Sequence, residues 1–448
     1  MYKPYWNTSL VGLLLLCMSL PALAQVNWPN APAPCDNPAS LQLCIDSQPD
    51  GAIIEINANS IAPINDLSVD QNLTIRAAAG FTPMFELPMV WNFRNDSGPV
   101  SVTIEGLTFA GLEMEVRHSD GDAALDFAFR SNEIQEVAGR GIRIVGSSES
   151  ASEPIRFVIE DNVIRAFNRF SSVVTAFSTW TSGNEGLVRN NLFESVNILD
   201  GAVLDFNGPI GRLTDMNVDV IGNRFEGQRY DAAVFMDSNE LGRLDGRIIN
   251  NLAFGQDGGE NIVSVVVVAP SDSTAEGDVW IINNTLVDNV SGITVTSAST
   301  PDVRTFVYNN IVTNSIEQNF RFLGDSVVVN DYNLGFAPGN PDEFTPGPNF
   351  LALDPLFDGS PQLHAASPAI DSGDSSVVPL DIVSDLAGND RIKGASVDRG
   401  AFEFEPVLPE SVAVPTLNAA GLIVLILLCL GMGPVFRPRH DAKQDDWS

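Results

Sequence analysis

Short runs of alternating apolar and polar residues fill residues 50–335, and glycine, asparagine or proline bounds most of them. A period of two predicts β-strands with one buried face. The first such runs are 52–56 (AIIEI) and 72–76 (NLTIR). No stretch of 12 residues in this region has the period of an amphipathic helix, so the pattern predicts an all-β fold.

One sequence phrase recurs through this region: an apolar run, a corner with asparagine, and a second apolar run. The corner position recurs every 26 to 33 residues with a mean near 29, and Gly106 fits the phrase one position earlier. A fixed period of this length indicates a solenoid. The corner asparagines are Asn132, Asn162, Asn191, Asn223, Asn251, Asn284 and Asn310.

Another apolar run recurs with the same period, with starts 29 to 31 residues apart between residues 142 and 292. Strands repeated in this way predict coils of parallel β-sheet, stacked about 4.8 Å apart. Parallel crossovers are almost always right-handed. We expect each corner asparagine to adopt the left-handed conformation and to hydrogen-bond to the asparagines above and below.

This pattern resembles right-handed parallel β-helix proteins, in which asparagine ladders line one corner. The resemblance covers roughly residues 50–335. It implies an all-β, single-stranded right-handed parallel β-helix of about eight to ten coils, which we place at residues 51–350. A tandem of β-sandwiches would need repeats near 100 residues, and the sequence has none.

The N-terminus has the three parts of a secretory signal peptide: Lys3, an apolar run at 10–20, and the sequence PALA at 21–24. We expect cleavage between Ala24 and Gln25. An N-terminal membrane anchor is the alternative, but the apolar run is short for a span. Residues 25–50 are then an N-terminal cap with a short helix near 41–45. Cys35 and Cys44 form an isolated pair in an exported segment, which predicts a disulfide.

The C-terminal sequence predicts a membrane anchor. Residues 419–436 carry no charge, about the minimum length for a membrane-spanning helix. The basic residues at 437–440 should hold that end on the cytoplasmic side. A tetrapeptide precedes the span: Val414, Pro415, Thr416 and Leu417. Together, residues 414–440 resemble the IPTL-type C-terminal sorting signals of bacterial envelope proteins. A plain membrane anchor is the alternative, and either one implies an exported body.

Four motifs precede the linker 406–413: DPLF at 354–357, SPAIDSGD at 367–374, DLAGNDR at 385–391 and VDRGAFEF at 397–404. In this order they resemble the end module of bacterial surface β-helix proteins called choice-of-anchor Q domain proteins. The resemblance implies that residues 351–405 end the solenoid ahead of an anchoring signal, with 441–448 as a tail. Glycine and proline at these spacings favour a capping role over a catalytic one.

The net charge and the composition of the chain limit the classes of ligand that it is expected to bind. The chain has 57 acidic and 24 basic side chains, a formal net charge of −33, which disfavours nucleic acid. With three histidines and four cysteines in 448 residues, no Cys/His metal framework is present. No cofactor is evident; calcium is possible, although the candidate carboxylates do not have EF-hand spacing. These are Asp371, Asp374, Asp385 and Asp390.

The best candidate for chemistry is Asp205, Asn207 and Asp237. Aligning Ala202 with Ala232 places Asn207 and Asp237 in one column, with Asp205 two residues back on the same face. A glycosidase needs two carboxyl groups across a sugar site. A calcium-dependent lyase needs clustered carboxylates and a base.

Arg229 or Arg243 is expected to supply positive charge to this cluster from nearby loops. The columns are expected to continue through Ser264, Val265 and Thr294, without further carboxylates. Acidic residues on a solvated strand face are usually not catalytic.

The sequence therefore favours a non-catalytic, exported cell-envelope or surface protein that binds a glycan or another envelope component along its solenoid face. Its other expected partners are the C-terminal sorting machinery and, through the span, the membrane. The alternative is a polysaccharide-degrading enzyme on the same scaffold, either a pectate-lyase-like lyase or a glycoside hydrolase.

Overall fold

The structure is a computed structural model of the chain. It describes residues 24–406 except 39, 62–65, 87, 97, 119–122, 147–152, 166–171, 179–182, 199–200, 208–213, 230–231, 238–240, 256–262, 270–275, 298–301, 325–326 and 360. The predicted signal peptide before Ala24 and the sorting signal at 414–440 lie outside the described residues. Within them, no helix is long and apolar enough to cross a membrane, and the predicted span 419–436 is not among them.

The alternating runs form strands that pair into three sheets, here called A, B and C. Among the described residues, sheet A has 12 strands, sheet B has 11 and sheet C has 10. Sheet A contains Gln25–Trp28, Ala52–Ile56, Leu73–Ala77, Val100–Glu105, Leu125–Arg130, Ile155–Glu160, Asn184–Arg189, Thr214–Ile221, Leu241–Ile249, Glu276–Ile282, Asp302–Tyr308 and Val327–Asp331.

The other two sheets complete each coil. Sheet B contains Ser60–Ile61, Met84–Phe85, Thr108–Phe109, Glu133–Ile134, Val163–Arg165, Leu192–Asn197, Arg224–Arg229, Leu252–Gly255, Thr285–Val287, Ile311–Thr313 and Leu334–Phe336. Sheet C contains Leu67–Val69, Met89–Arg94, Leu112–Arg117, Val137–Gly146, Val174–Ser178, Ala202–Asn207, Ala232–Asp237, Val263–Ala269, Ser291–Ser297 and Phe320–Gly324.

The chain visits sheets A, B and C in turn, and each strand pairs in parallel with its equivalent one coil away. This topology is a parallel β-helix, so the predicted all-β solenoid is confirmed. The right-handed sense follows from the chirality of parallel crossovers. The interior is apolar because alternate residues point inward; in Leu125–Arg130, for example, Leu125, Phe127 and Phe129 are buried.

The corner asparagines lie in one column between sheets A and B, and each is buried. Asn162 is representative: its Nδ2 donates to Oδ1 of Asn191 at 2.9 Å and to the carbonyl of Phe129 at 2.9 Å. The ladder also includes Asn333, whose Oδ1 accepts from Nδ2 of Asn310 at 2.9 Å. The sequence pattern missed Asn333 because its gap of 23 residues is shorter than the period.

The expectation that the ladder asparagine itself is left-handed is wrong. The left-handed residue is the one before it, as at Asn190, where φ is 55°. Turning the chain at that position lets the next side chain point into the solenoid, where its amide replaces missing backbone partners. The left-handed residues are Gly106, Ser131, Asp161, Asn190, Gly222, Asn250, Asn283, Asn309 and Tyr332.

The N-terminal segment covers the first coil with a short helix, Leu41–Asp46. Ser40 caps this helix by accepting from the amide of Leu43 at 3.3 Å. Cys44 is buried in the helix and forms the predicted disulfide with Cys35, which is therefore confirmed. The helix and the disulfide together close the end of the apolar interior against water.

Residues 351–404 run back along the outside of the corner between sheets A and B. Nδ2 of Asn309 donates to the carbonyl of Asp374 at 3.0 Å, and Nδ2 of Asn250 donates to that of Ser384 at 2.9 Å. A 3₁₀ turn, Ser375–Val377, lies between them. The segment and the solenoid belong to one compact unit, and this unit ends at Phe404.

Candidate functional site

Sheet C brings together the three residues that the sequence proposed for chemistry. Asn207 and Asp237 are paired in register on adjacent coils. The carboxylate of Asp205 accepts from Nδ2 of Asn207 at 2.9 Å and from Oγ of Ser172 at 3.1 Å. Burial raises the pKa of Asp205, opposed by these two hydrogen bonds. The alignment of Ala202 with Ala232 that led to this cluster is present in the structure.

The expected continuation of these columns holds for Thr294, which is in the column of Asp205, and is wrong by one residue at Val265. Asp205 pairs with Phe235, which pairs with Val266 rather than Val265, and Val266 pairs with Thr294. Asp237 pairs with Val268. The error of one residue arises because the coil between these strands is one residue longer than the repeat. The alternating pattern of a strand does not reveal the length of the loop before it, so the sequence does not fix this register.

Neither arginine expected to assist the cluster lies on sheet C. Arg243 is in sheet A, where it forms an ion pair with Asp245. Arg229 ends a strand of sheet B. The nearest basic residue in the column of Asp205 is Arg143, which forms an ion pair with Glu115 at 2.8 Å. The three residues of the sheet C cluster are therefore on one sheet, and the two arginines expected to supply positive charge are in strands of the other two sheets.

Three of the four aspartates considered for calcium, Asp371, Asp374 and Asp385, accept hydrogen bonds from backbone amides of the C-terminal segment. Asp385 accepts from the amides of Ala387, Asn389 and Glu403 at 2.8 to 2.9 Å. Asp374 caps the 3₁₀ turn through the amide of Ser376. In the part of the chain that the structure describes, no group of three or more His, Cys, Asp or Glu side chains is arranged to hold a metal.

A shallow groove of 410 Å³ crosses the outer face of sheet A. One edge is a column in register over five consecutive coils, and a second column forms the floor. The edge residues are Ser101, Asp126, Arg156, Glu185 and Asn217, and the floor residues are Thr103, Ala128, Val158, Leu187 and Asp219. We call this set the sheet A groove. It runs parallel to the solenoid axis because its residues follow the stacking direction.

Arg156 is at the centre of the edge column, between two carboxylates. Its guanidinium lies 3.1 Å from Glu185 and 3.8 Å from Asp126, and Glu153 adds a contact at 3.5 Å. Partial burial lowers the pKa of Arg156, but these carboxylates outweigh it and the net direction is upward. Arg156 is 44% exposed, and Glu185 and Asp126 are 52% and 50% exposed. These groups are therefore ordered by one another and still accessible to a ligand.

The other side of the floor is a column of alternating charge. Glu160 is its best-covered member, with Arg130 on the preceding coil at 2.8 Å and Arg189 on the following coil. Like charges are kept two coils apart, so each charge faces opposite charges only. The column runs Glu55, Arg76, Glu105, Arg130, Glu160, Arg189.

The same column becomes apolar where the C-terminal segment covers it. Arg189 is followed in register by Ile221, Ile249 and Ile282. Ile382 of the C-terminal segment packs on this apolar stretch. In the sequence, this covered stretch is marked by one position of the repeat that alternates in charge over several coils and is then apolar. The position can be recognised only when the register of the coils is known.

The comparisons with known proteins do not identify a family. No family model matches the chain, and no curated protein matches it. Among solved structures, one match is the crystal structure of pectate lyase Pel9A, whose sequence is 12% identical to this chain. The match covers 86% of this chain and 97% of that chain, with a TM-score of 0.35. The assignment of the fold therefore rests on the strand pairings described above, and the choice-of-anchor Q and IPTL-type resemblances stay predictions.

Proposed function

We propose that this chain is an exported cell-envelope protein that binds a glycan along its solenoid without cleaving it. The observation that carries the proposal is the sheet A groove, an accessible polar surface that extends over five coils. The predicted signal peptide, the IPTL-type sorting signal and the resemblance to choice-of-anchor Q domain proteins support an exported, anchored location. In that location the envelope polysaccharides are the abundant extended polymers.

The chemistry of the groove suits sugar. Carboxylates and guanidiniums are strong hydrogen-bonding groups for hydroxyls, and their mutual ion pairs hold Arg156 and Glu185 in place before a ligand arrives. Aliphatic side chains of the floor, such as Val158 and Leu187, suit the apolar faces of sugar rings. Hydrogen bonds with an apolar contact between them are a common design for small polar ligands.

The second candidate function is cleavage at the sheet C cluster. One observation favours it: burial raises the pKa of Asp205, as expected for a general acid. Asp237 on the next coil is in register with Asn207, within reach of one sugar unit. Against it, Arg229 and Arg243 lie on other sheets.

Retention and product formation measured together separate the two functions. The mature chain in detergent is passed over immobilised neutral and acidic polysaccharides, with and without calcium, and reducing ends and unsaturated uronate absorbance are followed in the same samples. We expect retention on at least one glycan and no product. Product formation by the purified protein would contradict the proposal, and so would the absence of retention on every glycan.

A further inference from the structure

We infer that the sheet A groove binds an uncharged, extended polysaccharide parallel to the solenoid axis, with one sugar unit per coil. This inference rests on the proposed function and adds the class and direction of the ligand. The juxtaposition behind it is the register of five edge residues, from Ser101 to Asn217, each on its own coil.

The spacing of the coils selects the polymer. Equivalent residues on successive strands are about 4.8 Å apart, so the five edge positions span roughly 19 Å. An extended peptide advances about 3.4 Å per residue and goes out of register with the coils within two or three residues. An extended β-1,4-linked sugar chain advances by close to one strand spacing per unit. Each unit then meets the same pair of edge and floor positions as its neighbour.

The charge of the groove selects against an acidic chain. Its lining contains three carboxylates, Asp126, Glu185 and Asp219, and two guanidiniums, Arg130 and Arg156. The groove thus has no excess positive charge, and the chain as a whole has a formal net charge of −33. A polyuronate would be repelled over the range of the Debye length, whereas a neutral chain is not.

Substitution of Arg156 tests this inference most directly. It is the central edge residue, and its planar guanidinium has donors in a fixed geometry that suits vicinal hydroxyls. It also orients Glu185 and Asp126, the acceptors on either side. Removing the Arg156 side chain therefore removes one donor set and releases two acceptors.

The test uses a length series of neutral β-1,4-linked glucose oligosaccharides and the same series oxidised to carboxylates at C6. Binding to the full mature chain is measured by titration calorimetry at low and high salt. We expect affinity for the neutral series to rise with length and level off near about five units, one per coil. We expect the oxidised series to bind more weakly, with part of the loss recovered at high salt.

Arg304→Ala is the matched control for Arg156→Ala. Arg304 is also on sheet A, forms an ion pair with Asp278 at 2.7 Å and is 55% exposed, but it does not line the groove. We expect Arg156→Ala to weaken binding about tenfold or more, the loss of one or two charge-assisted hydrogen bonds. Arg304→Ala should change affinity less than about twofold.

The outcomes separate this inference from the proposed function. If glycans bind but affinity is independent of length, or equal for Arg156→Ala and Arg304→Ala, the inference is wrong and the proposed function stands. Tighter binding of the oxidised series also overturns the inference. If no glycan in either series or in the wider panel binds, the proposed function itself fails.

Discussion

Asn191 donates from Nδ2 to Oδ1 of Asn223 at 2.9 Å, at the middle of the buried ladder between sheets A and B. The same Nδ2 donates to the carbonyl of Ile159 at 2.8 Å, and Oδ1 of Asn191 accepts from the amide of Asn162 at 3.0 Å. One side chain therefore satisfies two backbone groups on the preceding coil and one side chain on the following coil. The ladder links successive coils at the corner where the sheet hydrogen bonds are interrupted.

We predict that Asn191→Ala lowers the free energy of unfolding by about 3 to 5 kcal/mol, because several buried polar groups lose their partners at once. The measurement is the denaturant midpoint of the mature chain. Asn190→Gly is the matched control: Asn190 is exposed and left-handed with φ of 55°, a conformation glycine adopts freely, so the change should stay within about 1 kcal/mol. Equal losses in the two variants would contradict the role given to the ladder.

The strand period and the asparagine column were predictable from sequence because both repeat within one coil. The position of the left-handed residue was not, because asparagine occupies both places in pairs such as Asn190 and Asn191. The available signal for which position is left-handed came from coils such as those of Ser131 and Tyr332, where only the second of the two positions is asparagine. Both residues have φ near 54° although neither is glycine or asparagine, so the left-handed position does not depend on one residue type.

The charge column on sheet A gives a second prediction. Glu160 lies between Arg130 and Arg189, and its side chain is 8% exposed, whereas both arginines are about half exposed. We predict that Glu160→Gln destabilises the chain by about 1 to 2 kcal/mol, since the two arginines lose their shared carboxylate. Denaturation at low and high salt checks this, because the loss should shrink as salt rises. A salt-independent loss would point to packing instead.

The third prediction concerns pH and the buried cluster of the C-terminal segment. Burial raises the pKa of Glu403 from its ordinary value of 4.5 to about 7, although Arg391 lies 3.0 Å away and opposes the shift. Asp398 adds to the rise. The native state thus holds the proton more tightly than the unfolded chain. Stability from this group is full below about pH 4.5 and is lost as pH rises through 7, on the order of 3 kcal/mol.

Glu403→Gln tests this pH dependence. Glutamine resembles the protonated side chain, so the variant should lose much of the decline in denaturant midpoint between pH 5 and pH 8. Glu343→Gln is the control, because Glu343 forms its ion pair with Arg321 at the surface. The denaturant midpoint of Glu343→Gln should depend on pH in the same way as that of the unmodified chain. Parallel profiles for all three proteins would show that Glu403 does not titrate in this range.

The candidate sites were harder to foresee than the coils. The sheet C cluster followed from one correct alignment, Ala202 with Ala232, but the same reasoning slipped by one residue at the next coil. The sheet A groove was missed because Arg156 and Glu185 are 29 residues apart in sequence. Each looks like an isolated surface charge until the register is known. Loop lengths set that register, and loops do not share the strand period.

The central claim is that the outer face of sheet A binds glycan and the carboxylates of sheet C do not cleave it. The most direct measurement compares Arg156→Ala and Asp237→Ala for retention and product formation on one retained glycan. We predict that Arg156→Ala loses retention, that Asp237→Ala keeps it, and that no protein forms product. Product formed by the unmodified chain and abolished in Asp237→Ala would contradict the account and place an active site on sheet C.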